Sequence, residues 1–348
     1  MSGMRIKLGA VAAVVLIGLA VGIFAQGQPA AQSQLSQDPA CQSLTPGATG
    51  GPMPKDPNIA VVRWLGHSNY EVDYRDTVIL GDAYYDRPPR SHPIGVMPKD
   101  FKKVDAILVG HAHSDHISDA ATVAKQTGAM VVGAFMGEVV VNDNGLPSTQ
   151  WKTVKGGESL EFKNILVQTV LAHHNVISTT VPAGYLDKVS AALNVAALAT
   201  PLNAEEQKLA AAISARGSRD ARISDRGTIG YMLSLGPSFK IWLVDSPGPI
   251  TDGEREIMKA VPGGVDVAFL SLVSRTAGIP PLVELTKTFQ PKYLLVGHHD
   301  GPGTLRWPSL FPAGIALRKA VPKAQLLEVP YRTPVCFNVN TKEMFIGL

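Results

Sequence analysis

Four apolar, strand-like runs in this 348-residue sequence end in side chains that can bind metals, and this pattern constrains the fold more than any other feature. The first run continues through a glycine into H-x-H-x-D-H, and "VLAHHN", "KIWLVDSPG" and "LLVGHHDG" follow later. The end of a rigid strand is where an α/β scaffold usually presents its chemistry. A solvated loop or a capped helix start is the alternative for the first run. The candidate ligands are His111, His113, Asp115, His116, His173, His174, Asp245, His298 and His299.

Strand-like runs occur in clusters, with helical stretches between some of them. The runs at 59–65, 69–74 and 77–82 have the spacing of an antiparallel meander. Further strands are predicted at 130–133, 137–141, 165–172, 229–235, 239–244, 265–270, 293–296 and 335–339. Helices are predicted near 118–127, 252–260, 280–288 and 312–320. This arrangement predicts an α/β (α+β layered) fold in which helices cover the sheets.

An alanine-rich insertion, residues 185–217, predicts two helices broken around Pro201. Asn203 followed by Glu206 forms a potential capping box for the second helix. Because the insertion follows a candidate ligand cluster, it is either a lid or lipid-facing surface, or a helical cover for a sheet edge. The sequence leaves these alternatives open.

The N-terminal segment, residues 1–25, has two basic residues, Arg5 and Lys7, followed by an uncharged apolar run. This order predicts an export signal, which we expect to be cleaved, although the run is also long enough for a short membrane anchor. Residues 26–57 are rich in Gln, Pro, Gly and Ser and predict a flexible leader. The folded domain should therefore cover residues 58–348 of a periplasmic or secreted protein, which would contact a membrane only through an uncleaved N-terminal segment.

The charge balance and the cysteine count exclude some functions. The net charge is +3, and because segment 1–25 contributes only basic residues, the rest is close to neutral and does not indicate a nucleic-acid partner. Two cysteines, Cys41 and Cys336, are too few to ligate a metal cluster. Outside the cytoplasm they could form a disulfide, or they could be two unrelated thiols.

The order of the ligand clusters resembles that of the metallo-β-lactamase superfamily, in which H-x-H-x-D-H precedes a third His, an Asp and a final His. The segments "RWLGHSNYEV", "VILGDAYYDRPP" and "VDAILVGHAHSDH" are similar to the branch that contains N-acylphosphatidylethanolamine phospholipase D and ascorbate 6-phosphate lactonase-like proteins. The sequence differs from that branch in having "VDS" for "GDT" and "DA" for "DP". The resemblance covers residues 60 to about 345 and implies a four-layer αβ/βα sandwich.

The resemblance also implies two divalent metal ions. His111, His113 and His174 would hold the first, since the A-x-H pattern of the branch selects His174 over His173, which would line the pocket. Imidazole and carboxylate ligands suit Zn²⁺ first, with Mn²⁺ or Fe²⁺ as alternatives.

The second metal would be held by Asp115, His116 and His298, with Asp245 bridging the two ions. His299 would occupy the position that usually carries an aromatic residue. Asp115 would also orient the attacking water, so it is the candidate catalytic residue.

Two further residues are candidates for the surroundings of the metals. Asp82 would accept the other N–H of a ligand histidine, or it would be a simple turn aspartate. His67 would line the pocket, or its ring would be satisfied by backbone groups. The sequence leaves both alternatives open.

These residues predict an exported dinuclear hydrolase that uses metal-bound hydroxide on a phosphodiester, lactone or amide bond of a small or lipid-like substrate. The alternatives are a mononuclear iron dioxygenase of the same fold, which normally lacks the ligand at His116, and a non-catalytic metal-binding module. The latter would tolerate loss of Asp115 or Asp245, and both are present. No G-x-S-x-G motif supports a serine hydrolase.

Overall fold

Two β-sheets with helices on their outer surfaces form the fold in the computed structural model. The structure describes residues 36–37, 39–175, 201–218, 227–273, 278–300 and 310–347. Contacts within the chain divide it into Met1–Leu35 and Ser36–Leu348, and every described residue belongs to the second unit.

The strands of the described residues are, in chain order, β1 Ser36–Gln37, β2 Ile59–Trp64, β3 Tyr70–Tyr74, β4 Thr77–Gly81, β5 Ala106–Leu108, β6 Met130–Gly133, β7 Trp151–Thr153, β8 Ser159–Phe162, β9 Ile165–Ala172, β10 Thr228–Leu235, β11 Phe239–Leu243, β12 Val267–Ser271, β13 Tyr293–Gly297, β14 Gln325–Leu327, β15 Val335–Asn338 and β16 Met344–Ile346. The first sheet has the order β1-β16-β15-β2-β3-β4-β5-β6-β7, and the second has the order β14-β13-β12-β11-β10-β9-β8. Strands β4 to β7 are parallel in the first sheet, and β11 to β14 are parallel in the second.

The helices of the described residues are α1 Pro39–Gln42, α2 Ser114–Ile117, α3 Ala120–Thr127, α4 Phe135–Asp143, α5 Ala204–Ser214, α6 Asp252–Lys259, α7 Ile279–Phe289 and α8 Phe311–Ala320. Helices α3 and α4 share an apolar core with the first sheet, while α7 and α8 share one with the second. No helix within these described ranges is both long and apolar enough to cross a lipid bilayer.

Aromatic and aliphatic side chains fill the spaces between these layers. Between the sheets, Tyr70 stacks on Phe269 with ring centroids 4.3 Å apart. Outside the second sheet, Trp242 stacks on Phe289 of α7 at 4.2 Å. The order is therefore helix, sheet, sheet, helix, which confirms the layered α/β fold that the sequence predicts.

One predicted strand is wrong, because residues 137–141 lie within helix α4. Gly137, Val140 and Val141 are its buried residues. That spacing of three and four positions places them on one face of a helix, whereas the short valine run alone is also typical of a strand. The predicted capping box at Asn203 and Glu206 is confirmed at the start of α5.

Part of the predicted leader is ordered, since Cys41 and Leu44 pack with Val61 and Phe345 of the first sheet. Cys41 and Cys336 form a disulfide with their Cα atoms 6.1 Å apart, so the pairing alternative holds for the two cysteines. Both are buried, and β15 carries the second of them. The predicted export segment and the first part of the insertion, residues 185–200, lie outside the described residues.

A buried ionic network also holds this N-terminal segment. Arg63 on β2 is fully buried and pairs with Glu71 and Asp73 on β3. The carboxylate of Glu71 accepts the backbone N–H groups of Gly47 and Ala48 at 3.0 and 3.2 Å. Polar sequence after residue 39 is therefore ordered by partners that are remote in the chain, which local composition does not report.

Candidate metal centre

Loops that follow strands of both sheets carry the candidate ligands to one place. The H-x-H-x-D-H motif follows β5, and its last residues begin α2. His174 follows β9, Asp245 follows β11 and His298 follows β13. The residues that the structure brings together are His67, His111, His113, Asp115, His116, His174, Asp245 and His298.

The glycine that precedes the motif allows two of these loops to approach closely. A Cβ atom on Gly110 would lie 2.1 Å from the carboxyl group of Asp245, so a side chain at this position would collide with it. The N–H group of Gly110 donates to Oδ1 of Asp82 at 3.0 Å. Glycine at position 110 therefore leaves space for the carboxylate of Asp245 and donates a hydrogen bond to that of Asp82.

The first ligand group consists of His111, His113 and His174, whose ligand nitrogens lie within 4.8 Å of one another. Nε2 of His111 is 2.9 Å from Nδ1 of His113. The ring centroid of His174 lies 4.7 Å from that of His111 and 5.0 Å from that of His113. Two nitrogens bound to one Zn²⁺ are at most about 4 Å apart, so the group is close to the spacing of one cation site.

The second ligand group consists of His67, Asp115, His116 and His298, again with ligand atoms within 4.8 Å of one another. Oδ2 of Asp115 lies 3.4 Å from Nε2 of His67 and 3.6 Å from Nε2 of His298. Its Oδ1 lies 3.8 Å from Nε2 of His116. The carboxylate therefore faces three imidazoles.

Asp245 connects the two groups. Its Oδ2 lies 2.7 Å from Nδ1 of His111 and 3.1 Å from Nδ1 of His116. Its Oδ1 is buried and has no hydrogen-bond partner among the described residues, so it is the oxygen left for a cation. Nδ1 of His116 also lies 2.7 Å from Oδ2 of Asp82, which is the contact that the sequence suggests for Asp82.

The protonation states of the first group suit a cation. Burial lowers the pKa of His111 and of His113 to about 4, and it also lowers the pKa of His174. These imidazoles are neutral at pH 7, so their lone pairs are available for coordination.

The second group differs because its carboxylates raise the pKa of one imidazole. Burial would lower the pKa of His116, but Asp245, Asp115 and Asp82 hold it well above its usual range. Burial would raise the pKa of Asp115, but His116 and His298 hold it well below its usual range. Without a cation, a proton on His116 would therefore offset the charge of the same carboxylates.

Two of the candidate histidines lie outside both groups. The His173 side chain is exposed, and its carbonyl oxygen would lie 2.0 Å from a Cβ atom on Gly248. His299 is buried and stacks on Trp64, with ring centroids 4.8 Å apart. His299 therefore occupies an aromatic position rather than a ligand position.

Sequence reasoning missed Asp300, a fully buried carboxylate beneath the second group. Its two oxygens accept the N–H group of His67 at 3.0 and 3.1 Å. It also pairs with Arg87 at 2.9 Å and accepts the hydroxyl of Tyr331. The signal was present in "GHHDG", where an acidic residue directly follows two candidate ligands.

Asp119 was missed as well, although it ends the run "HSDHISD". Its Oδ2 accepts the N–H groups of Tyr85 and Asp86 at 2.6 and 2.8 Å. Its Oδ1 accepts from Arg216, which follows α5, at 2.9 Å. Burial raises the pKa of Asp119 to about 6. This carboxylate therefore ties the end of the insertion to the loop after β4.

A two-sheet sandwich with clustered His and Asp side chains at its strand ends defines the metallo-β-lactamase fold class. Residues 77–191 match the family model described as "Beta-lactamase superfamily domain". Residues 77–191, about a third of the chain, therefore match a domain of the metallo-β-lactamase superfamily, in agreement with the resemblance of the sequence motifs.

Curated relatives and a solved structure resemble parts of this chain. UPF0173 metal-dependent hydrolase MK1542 of Methanopyrus kandleri is 26% identical over 133 residues, which cover 36% of this chain and 55% of the relative. A UPF0173 metal-dependent hydrolase of Staphylothermus marinus is 33% identical over 95 residues, which cover 26% and 41%. The chain thus spans about half or less of the length of these relatives.

The structure of Igni18, a metallo hydrolase from Ignicoccus hospitalis KIN4/I, has a TM-score of 0.54 and 17% sequence identity. The match covers 80% of this chain and 98% of that one. At this identity the likeness concerns the fold alone.

Proposed function

We propose that this chain is an exported, dinuclear metal-dependent hydrolase that acts on a phosphodiester, lactone or amide bond. The observation that carries the proposal is the pair of adjacent ligand groups on either side of Asp245. His111 belongs to the first group and His116 to the second, and one oxygen of Asp245 contacts both rings. The carboxylate of Asp245 would lie between two cations held by these groups and would offset their mutual repulsion.

The donor types support cation binding and favour particular metals. Both groups offer imidazole nitrogens, and the second adds a carboxylate, a combination that suits Zn²⁺ and also Mn²⁺ or Fe²⁺. Cys41 and Cys336 are joined in a disulfide, so neither offers a thiolate. We therefore propose Zn²⁺ as the first metal to test.

When bound, a pair of divalent cations lowers the pKa of water toward neutrality and polarises a carbonyl or phosphoryl oxygen. Asp115 would orient that water and accept its proton, because its side chain is 31% exposed while His67 and His116 beside it are buried. Asp82 and Asp245 would hold His116 and His111 in orientation through their Nδ1 atoms.

A cavity beside α5 supports a small or lipid-like substrate. Its volume is about 520 Å³, and Leu209 and Ile213 from α5 line it together with Arg87 and Pro89. Arg87 also contacts Asp300, which in turn holds His67 of the second group. Asp86 and Arg216 line the same cavity, so its apolar and charged side chains together would accommodate the non-reacting part of a substrate.

The disulfide supports export, because such bonds form and persist in oxidising compartments. The apolar segment 1–25 would then direct the chain to the periplasm or the exterior. A mononuclear iron enzyme of the same fold is less well supported, since His116 stands in a complete second group.

The test is elemental analysis of the full chain purified without added metal, followed by ester, lactone, amide and phosphodiester substrates. We expect two equivalents of divalent metal and hydrolysis of one class, with activity abolished by a chelator and restored by Zn²⁺. A metal-free protein, or hydrolysis that is insensitive to chelation, would contradict the proposal.

A further inference from the structure

We infer that His67 is a protein ligand of the second cation, beside Asp115, His116 and His298. This inference rests on the proposed function and specifies which side chains hold that cation. His67 comes from the turn between β2 and β3, outside the segments that carry the other ligands.

The burial of His67 is unusual for a polar side chain without partners. The residue is completely buried, yet neither ring nitrogen has a hydrogen-bond partner in the described part of the chain. Buried polar atoms are nearly always satisfied, because removing them from water without a partner is unfavourable. The aromatic contact to Tyr84, with centroids 5.2 Å apart, satisfies neither nitrogen.

The distances in the second group match the coordination sphere of one cation. Nε2 of His67 is 3.4 Å from the nearest oxygen of Asp115, and the corresponding distances for His298 and His116 are 3.6 and 3.8 Å. All three exceed an ordinary hydrogen bond. Ligands that are each about 2.1 Å from a tetrahedral cation are separated by about 3.4 Å, so these atoms are spaced as edges of one coordination polyhedron.

The backbone holds His67 in place independently of its ring. Its φ angle of 50° lies in the left-handed region, which non-glycine residues adopt when surrounding contacts require it. Its N–H group donates to both oxygens of Asp300. Its carbonyl oxygen accepts hydrogen bonds from the indole N–H of Trp64 at 2.7 Å and from the backbone N–H of His298 at 2.9 Å.

The last of these contacts joins two ligands of the same group. Since the backbone of His298 donates to the backbone of His67, the two residues are held side by side, and their ring centroids are 3.8 Å apart. A Cβ atom on Gly297 would lie 2.2 Å from the carbonyl oxygen of His67, so only glycine allows this approach. The fold thus positions an unsatisfied imidazole directly against the other ligands.

The variant His67→Asn tests this assignment, because asparagine tolerates a positive φ better than most residues. The matched control is His173→Asn, which changes an exposed histidine outside both groups. The full chain, stripped with a chelator, is titrated with Zn²⁺ alone by calorimetry, and the melting temperature Tm of the metal-free protein is measured. We expect two equivalents for wild type and control. For His67→Asn we expect one strong site, a second site whose affinity falls more than about 100-fold, and an unchanged metal-free Tm. The size of the loss matters because changing a residue that contacts only a ligand, and not the metal, lowers metal affinity by about 10-fold to 100-fold.

Two equivalents with unchanged affinity in His67→Asn would overturn the assignment while leaving the proposed function standing. A wild-type protein that binds no Zn²⁺ would overturn both. Should the variant fail to fold, wild-type protein with ¹⁵N-labelled histidine and bound ¹¹³Cd²⁺ decides the matter by NMR. Six imidazole nitrogens coupled to cadmium would support the assignment, since each group then supplies three histidines. Five would overturn it.

Discussion

The two ligand groups differ in composition and in protonation although they lie side by side. The first group has three imidazoles that are neutral at pH 7, and two of them, His113 and His174, are only partly buried. The second group has a carboxylate and a His116 with a raised pKa, and His67 within it is fully buried. Apart from the shared Asp245, the first group offers three ligands, whereas the second offers four when the inferred His67 is included, so the first leaves more room for water or substrate. In the proposed dinuclear centre, the two cations would therefore meet ligands of different charge and protonation.

The largest expected effect comes from Asp115→Asn in the second group. The amide cannot accept a proton, so we expect kcat on the best substrate to fall by about 100-fold or more. At least one equivalent of metal should remain, because the first group is untouched. Asp252→Asn, at a fully exposed position, is the control for the lost charge. Full activity in Asp115→Asn would contradict the assignment of the proton-accepting carboxylate to the second group.

A second prediction separates the neighbouring histidines after β9. His174→Ala should weaken metal binding at the first group by more than about 100-fold, while His173→Ala should leave both sites intact. Metal content after dialysis measures the difference. Loss of metal in His173→Ala, with full content in His174→Ala, would show that the other member of the pair is the ligand.

The pH dependence of metal affinity should also differ between the groups. Because the pKa values of His111 and His113 are lowered to about 4, protons do not compete for them between pH 5.5 and 7.5, and affinity should be nearly flat. His116 has a raised pKa, so a cation must displace its proton. Affinity at the second group should therefore rise about 10-fold per pH unit. Calorimetric titrations in buffers of different ionisation enthalpy would count the released proton; two equal pH slopes would contradict the contrast.

Removing the disulfide, which lies far from both ligand groups, should leave the difference in metal binding between the groups unaltered. Removing the disulfide by Cys41→Ala with Cys336→Ala should lower the free energy of unfolding by about 4 kcal/mol, because the bridge closes a long loop of sequence separation 295. Denaturant unfolding measures this loss. Zn²⁺ affinities of the folded variant should stay within about twofold of wild type. A selective loss at one group would reveal coupling between the sheet edge and that group.

Local signals in the sequence were enough to predict which side chains converge. Strand-like runs that end in His or Asp led to seven residues that the structure gathers around one centre: His111, His113, Asp115, His116, His174, Asp245 and His298. Their identification needed only the tendency of strand ends to converge and the order of the motifs along the chain. Helix α4 was predicted as a strand because its three consecutive valines fit the periodicity of a helix and that of a strand.

The parts that were not predictable depend on remote partners. The segment after residue 39 is held by Arg63, Glu71 and Cys336, and its own polar composition gives no sign of them. His67 was left between two alternatives because its position is set by Asp300, more than 200 residues away. Such pairings require three-dimensional information, since neither partner has a distinctive local pattern.

The position of β15 has a consequence for the order in which the fold is completed. This strand lies between β2 and β16, so the edge of β2 stays unpaired until residues 335–338 have been synthesised. An exposed edge strand invites pairing with other chains, and contacts between residues remote in sequence form slowly. The nascent chain therefore has an unpaired strand edge, which is prone to aggregation, through most of its synthesis. A chaperone that covers β2 during this interval would raise the yield of native protein without touching the metal centre.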